Sequence, residues 1–474
     1  MSFTTRPELA GTFGMVSSTH WIASATGMAI LEKGGNAFDA AVATAFVLNV
    51  VEPHLNGPLG DLVAMIWPHG DEQPTALCGQ GTTPAGATIA HYTDEGLELV
   101  PGSGLLATVI PGAFDGWMLL LRDHGTLGLE DVLQPAIAYA QNGHPMLAQV
   151  SAGIGGIADF FRAEWPTSAA VWLPGDAVPK AGELFKNPDL ARTWTRMLEE
   201  TAHKRDRVER IEAARTCFYR GFVAEAIDDY LRDACVMDAT GERRKGVLTG
   251  QDMAGWQARF EPALAGGYKD WAVYKCGPWT QGPALLQSLA IIEAGDAPLP
   301  DSQSADYVHL VTETLKLAFA DREAYFGDPD HADIPIDTLL SRDYVKARRA
   351  MIGDTASREM RPGMIDGYGH QVERARARSG AKPVADDGPG TGEPTMAHLT
   401  ARRGDTVHLD IVDRWGNMVS ATPSGGWLQS SPVIPGLGMP LNSRAQMFWL
   451  EEGLPTSLAP GRRPRLSSPR GGNG

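Results

Sequence analysis

No stretch of this 474-residue chain approaches the ~20 consecutive apolar residues that a membrane-spanning helix needs. The opening residues, MSFTTRPELAGTFGMVSS, also lack the apolar core of a secretion signal. Cysteine is scarce: the 4 present, Cys78, Cys217, Cys235 and Cys276, form no CxxC pair and suit reduced thiols better than a disulfide framework. These absences lead to the expectation of a cytoplasmic protein without a membrane partner. Basic charge is short as well. Lys plus Arg total 41 against 57 Asp plus Glu, a formal net charge of −16, so the surface repels phosphate backbones and no nucleic-acid partner is expected. The densest basic runs, Val372 to Gly380 and Gly461 to Arg465, are short and read as solvated loops.

Signatures of several chemistries are missing too. The 12 histidines are scattered, and Asp328, Asp330 and His331 sit in a Pro-containing turn where carboxylates cap or solvate, so no metal or cofactor is expected. The glycines around Gly57 and Gly60 lack the lysine of a phosphate loop. A G-x-S-x-G nucleophile turn is absent. No repeat of solenoid or propeller period is evident.

What remains is ordinary globular material, 43% hydrophobic and 21% charged. Residues 19–52 read as two helices parted by Gly34-Gly35, the second with Phe38, Val42, Ala45, Phe46 and Val50 on one face. A strand over Leu62 to Trp67 follows. The helix in SADYVHLVTETLKLAFADREAYF buries Val308, Val311, Leu315, Ala318 and Phe319 in this reading, with Glu313, Lys316 and Asp321 outside. Residues 353–396, rich in Gly, Pro, Arg and Asp, read as a flexible connector. Beyond it the period becomes 2: Val407, Leu409 and Ile411 share one face of a strand, while Thr406, His408 and Asp410 share the other. Trp415-Gly416-Asn417 turns that strand into a second one, Met418 to Thr422.

β-Branching alone explains a threonine at a strand start. A wider pattern gives Thr406 a second meaning. ILEKGGNAFDAAVATAFVLNVVEPHLNG, VIPGAFDGW, FYRGFVAEAI, GVLTGQDMAGW, LKLAFADREAYFGDP, TVHLDIVDRWGNMVSAT and LAPGRRPR resemble, in one linear order, the γ-glutamyltransferase (glutathione hydrolase) family. The resemblance implies an α+β fold, a four-layer αββα sandwich of the N-terminal nucleophile hydrolase type. It implies a precursor cut before Thr406, giving a large region 1–405 and a small region 406–474 that stay entwined as one fold. A freed α-amino group, with a pKa near ~7.7–8.0, supplies the base that an ordinary hydroxyl lacks.

The same resemblance places substrate-facing positions at Gln80, Ser424, Arg444, Ser467 and Ser468, and oxyanion donors at Gly471 and Gly472. This chain departs from the family there. The family's carboxylate-gripping arginine falls on Gln80, and its ammonium-holding aspartate falls on Met447. An amide cannot reproduce a guanidinium's charged, two-pronged grip. Gly471-Gly472 follows Ser468 too closely for the family's intervening strands, which leads to the expectation of a truncated, less stable and aggregation-prone small region.

The leading reading is an amide hydrolase or acyltransferase with an N-terminal threonine, acting on glutathione-like or other small acyl-amides. The alternatives are an acylase for a non-amino-acid acyl group and a non-catalytic truncated homologue. Expected partners are a small amide substrate, the two fragments with each other, and a second copy in a homodimer. Activity on γ-glutamyl anilides should be weak or absent. Each missing charged contact costs about 1.5–3 kcal/mol, or one to two decades in affinity. Steady-state assay against a γ-glutamyl anilide checks this, and efficient L-glutamyl-selective turnover would refute it.

Overall fold

A computed structural model of the protein describes residues 8–295, 297–380 and 406–465. Chain order begins with β1 (Gly14–Ser18), α1 (Trp21–Glu32), α2 (Ala37–Val51), β2 (Asp61–Trp67) and β3 (Thr75–Gly79). It continues with α3 (Ala113–His124), α4 (Leu129–Asn142), a helical block over residues 148–233, then β4 (Arg259–Pro262), β5 (Leu264–Tyr268) and β6 (Trp271–Lys275). Helices α5 (Gly282–Glu293), α6 (Ala305–Tyr325) and α7 (Gly369–Gly380) precede the last strands, β7 (Leu409–Asp413) and β8 (Met418–Ser424). No helix among the described residues is long and apolar enough to cross a membrane.

Six strands form one antiparallel sheet in the order β1-β7-β8-β2-β3-β4. Strands from the end of the chain therefore lie between strands from its beginning. Period-2 patterning fixes this register, since a slip of one residue would turn Val407, Leu409 and Ile411 out of the core; all three are fully buried. Helices α2 and α3 pack beneath, against β7–β8 and β2–β3. On the opposite face, Cys276 and Trp279, just after β6, pack on Val63, Met65, Ala76 and Cys78 of β2 and β3. Helix α5 lies against the β5–β6 hairpin. These are the four layers, αββα, with a second sheet of two strands among the described residues. Across β1, β7 and β8 that same face carries Met15, Val412 and Met418, which are 39%, 38% and 44% exposed.

Three local readings change. Helix α2 has no solvent face at all: its 15 residues are all buried, because helices and sheet enclose it. A capping box starts it, with Asn36 Oδ1 accepting from the Phe38 and Asp39 amides and Asp39 accepting from the Asn36 amide. In α6 the expected stripe is displaced. Val308 and Leu315 are exposed, whereas Glu313 and Asp321 are buried. Their charges are met by dedicated partners: Glu313 pairs with Lys316 one turn on in the same helix and with Arg361 from outside it, and Asp321 with Arg348 at 3.1 Å and the Gly363 amide at 2.7 Å. Part of the stretch read as a flexible connector, 353–396, is helical, and its residues 381–396 lie outside the described residues. Residues 369–380 form α7, whose Val372 and Ala375, one turn apart, pack against Ala318, Tyr325 and Phe326.

The last described residues are clamped onto the end of α6 and the turn that follows it. Arg463 donates to Asp328 at 2.7 and 3.0 Å, and Arg465 to Glu323 at 2.9 and 3.1 Å, all four side chains being largely buried. Asp328, weighed above as a turn carboxylate, is a partner of this clamp. Arg463→Met should destabilise the fold by about 3–5 kcal/mol, since it leaves the Asp328 carboxylate buried without its counter-charge. Urea unfolding followed by fluorescence checks the loss.

Candidate active site

The pairing of β7 with β8 sets Leu409 opposite Ala421. Carried three residues further, the same register sets Thr406 opposite Ser424, and their hydroxyl oxygens lie 3.2 Å apart, either able to donate. Thr406 itself precedes the paired strand and is half-buried; Ser424, the last residue of β8, is buried. Ser424 pairs in turn with Asp61, and the β2–β3 register brings Gln80 beside Asp61. Thr406, Ser424, Asp61 and Gln80 thus form one row on the sheet face that looks into the space between the sheets. Alternation along each strand requires this: Val407, Ala421, Leu62 and Leu77 turn to the helices, so their neighbours turn away.

Two turns hold the row in place. After Ser424 the chain bends through Gly425 (φ 72°) and Gly426 (φ 63°), in the left-handed region that glycine enters freely. This bend meets the Gly57–Gly60 turn backbone to backbone. A Cβ on Gly425 would stand 2.9 Å from Asp61 Oδ2, and one on Gly426 3.0 Å from the Gly60 nitrogen. The glycines that looked like a failed phosphate loop are a close-contact seam.

Arg444 lies in a 3-10 turn, Arg444–Met447, with its side chain 3% exposed. Its guanidinium donates through Nε to Asp61 Oδ2 and sits 5.1 Å over the Trp427 ring. Burial pushes the Asp61 carboxyl above its ordinary value, and the Arg444 charge opposes that shift. Gln80 is fully buried and gives its amide N–H to the Pro464 carbonyl at 2.6 Å, so it ties the chain end to β3. Met447 is buried as well. Ser467, Ser468, Gly471 and Gly472 lie outside the described residues. Behind Thr406, His408 contacts Thr422 Oγ1 at 2.8 Å and Asp410 Oδ1 at 3.1 Å on the solvent side of the same face.

Sequence reasoning had missed Asp61. Its signal was present: an acidic residue opening an otherwise apolar strand, HLNGPLGDLVAMIW, directly after the glycine turn. Arg444→Met should destabilise the protein by about 3–5 kcal/mol at neutral pH, because it strands Asp61. Without the Arg444 charge to oppose burial, the folded pKa of Asp61 rises further above its ordinary value. The deficit is therefore smallest below that value and widens as pH rises through the folded pKa. Thermal melts of both proteins between acid and neutral pH check the trend.

Comparison with known proteins gives the chain its family. The gamma-glutamyltranspeptidase family pattern matches residues 23–469. The glutathione hydrolase proenzyme of Bacillus subtilis (strain 168) is 29% identical over 466 residues, spanning 97% of this chain and 72% of that protein. Among solved structures, LmbA2991HD is 54% identical with a TM-score of 0.88, covering 98% of this chain and 76% of that one. The cephalosporin acylase from Bacillus halodurans is 26% identical with a TM-score of 0.76 and the same two coverages, 98% and 76%. Its sheet-between-helices architecture is thereby shared with N-terminal nucleophile hydrolases, and the chain belongs to the gamma-glutamyltranspeptidase family.

Proposed function

We propose that the protein is an amide hydrolase whose nucleophile is Thr406, released by cleavage of the Asp405–Thr406 bond, and that its acyl substrate lacks an α-amino acid head. One observation carries the nucleophile: Thr406 stands just ahead of β7, a strand in the middle of the sheet, with its hydroxyl 3.2 Å from that of Ser424, on the face between the sheets. In the precursor, Thr406 Oγ attacks the Asp405 carbonyl carbon, the peptide C–N bond breaks, and water hydrolyses the resulting ester. The freed α-amine then takes the Oγ proton when Oγ attacks a substrate carbonyl, and returns it to the leaving amine. Water, or a second amine in a transfer reaction, resolves the acyl ester. A donated hydrogen bond from Ser424 stabilises negative charge on Oγ, while one from Thr406 orients it.

The substrate half of the reading rests on charge. Recognition of an α-amino acid needs a cation and an anion that are open to ligand. Here Gln80 is neutral and spent on Pro464, Met447 is apolar, and Arg444 is neutralised by Asp61. A glutathione-like substrate is the second reading, favoured by the likeness to the B. subtilis glutathione hydrolase proenzyme. Purified wild-type protein should give two fragments by intact mass, the smaller beginning Thr-Val-His-Leu. Thr406→Ala should give one chain. A wild type that stays single would refute the nucleophile, and turnover of γ-glutamyl amides with preference over plain acyl-amides would refute the substrate.

A further inference from the structure

Glu52 caps the C-terminal end of α2 and is 5% exposed. Neither property suits a glutamate. Buried carboxylates need partners, and a negative charge at a helix C-terminus opposes the macrodipole. The helix gains nothing from it, so its reason lies elsewhere.

The carboxylate accepts a hydrogen bond from Thr19 Oγ1, and the Thr19 amide donates to the His408 carbonyl at 3.2 Å. Since Ser18 pairs with Leu409, Thr19 stands beside His408 and presents its side chain on the face that carries Thr406. Glu52 thereby reaches the β1 flank of the strand that Thr406 opens. The residues after it reach the other flank. Pro53 accepts from the Leu428 amide at 2.8 Å, Leu55 from Trp427 Nε1 at 2.7 Å, and Asn56 bridges to Gly425 just past Ser424. Residues 52–56 therefore arch over the end of β7 at which Thr406 lies, with the Glu52 carboxylate on one side of the arch.

We propose that Glu52 is the positioning residue for the α-amino end of Thr406, orienting the amine that cleavage would create and holding its proton more tightly. This rests on the reading of Thr406 as an N-terminal nucleophile. A neighbouring negative charge favours the ammonium form and raises the amine's pKa above the usual ~7.7–8.0. Other ionisable groups face this end. His408 and Asp410 lie along β7, His54 sits in the arch, and the Asp61–Arg444 pair lies beyond Ser424. His20, at the start of α1, is held below its ordinary value by burial, so it is neutral there and does not offset Glu52.

The test reads the amine directly. Wild type and Glu52→Gln are incubated with an amine-acylating reagent across pH, and acylation of the 406–474 fragment's N-terminus is measured by mass spectrometry. Loss of the charge should move the labelling midpoint about one pH unit lower, or about tenfold faster labelling near pH 7. Cleaved variant with an unmoved midpoint overturns the proposal. If Glu52→Gln does not cleave, Thr19→Val at an exposed position, which frees the carboxylate from its anchoring bond, decides by the same readout: a shifted midpoint supports the role and an unmoved one overturns it. An uncleaved wild type is a different result, refuting the nucleophile itself and this inference with it.

Discussion

The insertion of β7 and β8 between β1 and β2 is the constraint on which everything else depends. The backbone ladder on both sides of these strands is made by residues from the chain's opening part. Without them, β1 and β2 would face each other across an empty two-strand gap, each with a row of unpaired amides and carbonyls. The central sheet is thus a joint product of the two regions. A cut before Thr406 would leave their pairing intact, since the ladder does not pass through the broken bond. Arg463 and Arg465, bonded to Asp328 and Glu323, add a second attachment of buried charge at the far end of the small region.

From this insertion the site follows almost by register alone. Four strand positions, at Thr406, Ser424, Asp61 and Gln80, fall in line because antiparallel neighbours stand directly opposite one another. What each member does is set by what covers it. Thr406 stays half open at the end of the row. Ser424 is closed in by the glycine seam, Asp61 by Arg444 and Gln80 by Pro464. The row grades from a half-open end to a closed end within three strand spacings, about 14 Å.

Buried charge recurs throughout the molecule and carries position rather than net stability. Pairs such as Asp61–Arg444 and Asp321–Arg348 replace strong hydration with directed bonds, a near-balanced exchange when geometry is good. Their value lies in the large cost of breaking them, which fixes turns such as Arg444–Met447 against one strand and no other. This also explains why amphipathic periodicity misjudged α6. Polar residues with dedicated partners behave as core residues, and a helical wheel counts them as surface.

The sequence by itself determined the local elements and the strand that bears Thr406. The capping box at Asn36, the period-2 run after Thr406, the Gly416 turn and the ordered blocks of family resemblance are all short-range signals. It also located, through that resemblance, the threonine now found beside Ser424. Only the tertiary structure decided which polar side chains are occupied. Gln80 and Arg444 read as substrate contacts, yet their bonds go to Pro464 and Asp61, 384 and 383 residues away in sequence. Glu52 and Asp61 drew no notice, because nothing within a few residues of either reveals a partner. Hydrogen-bond partners at that separation are set by how layers stack and strands register, and a linear pattern carries period and propensity but not the identity of what lies across the gap.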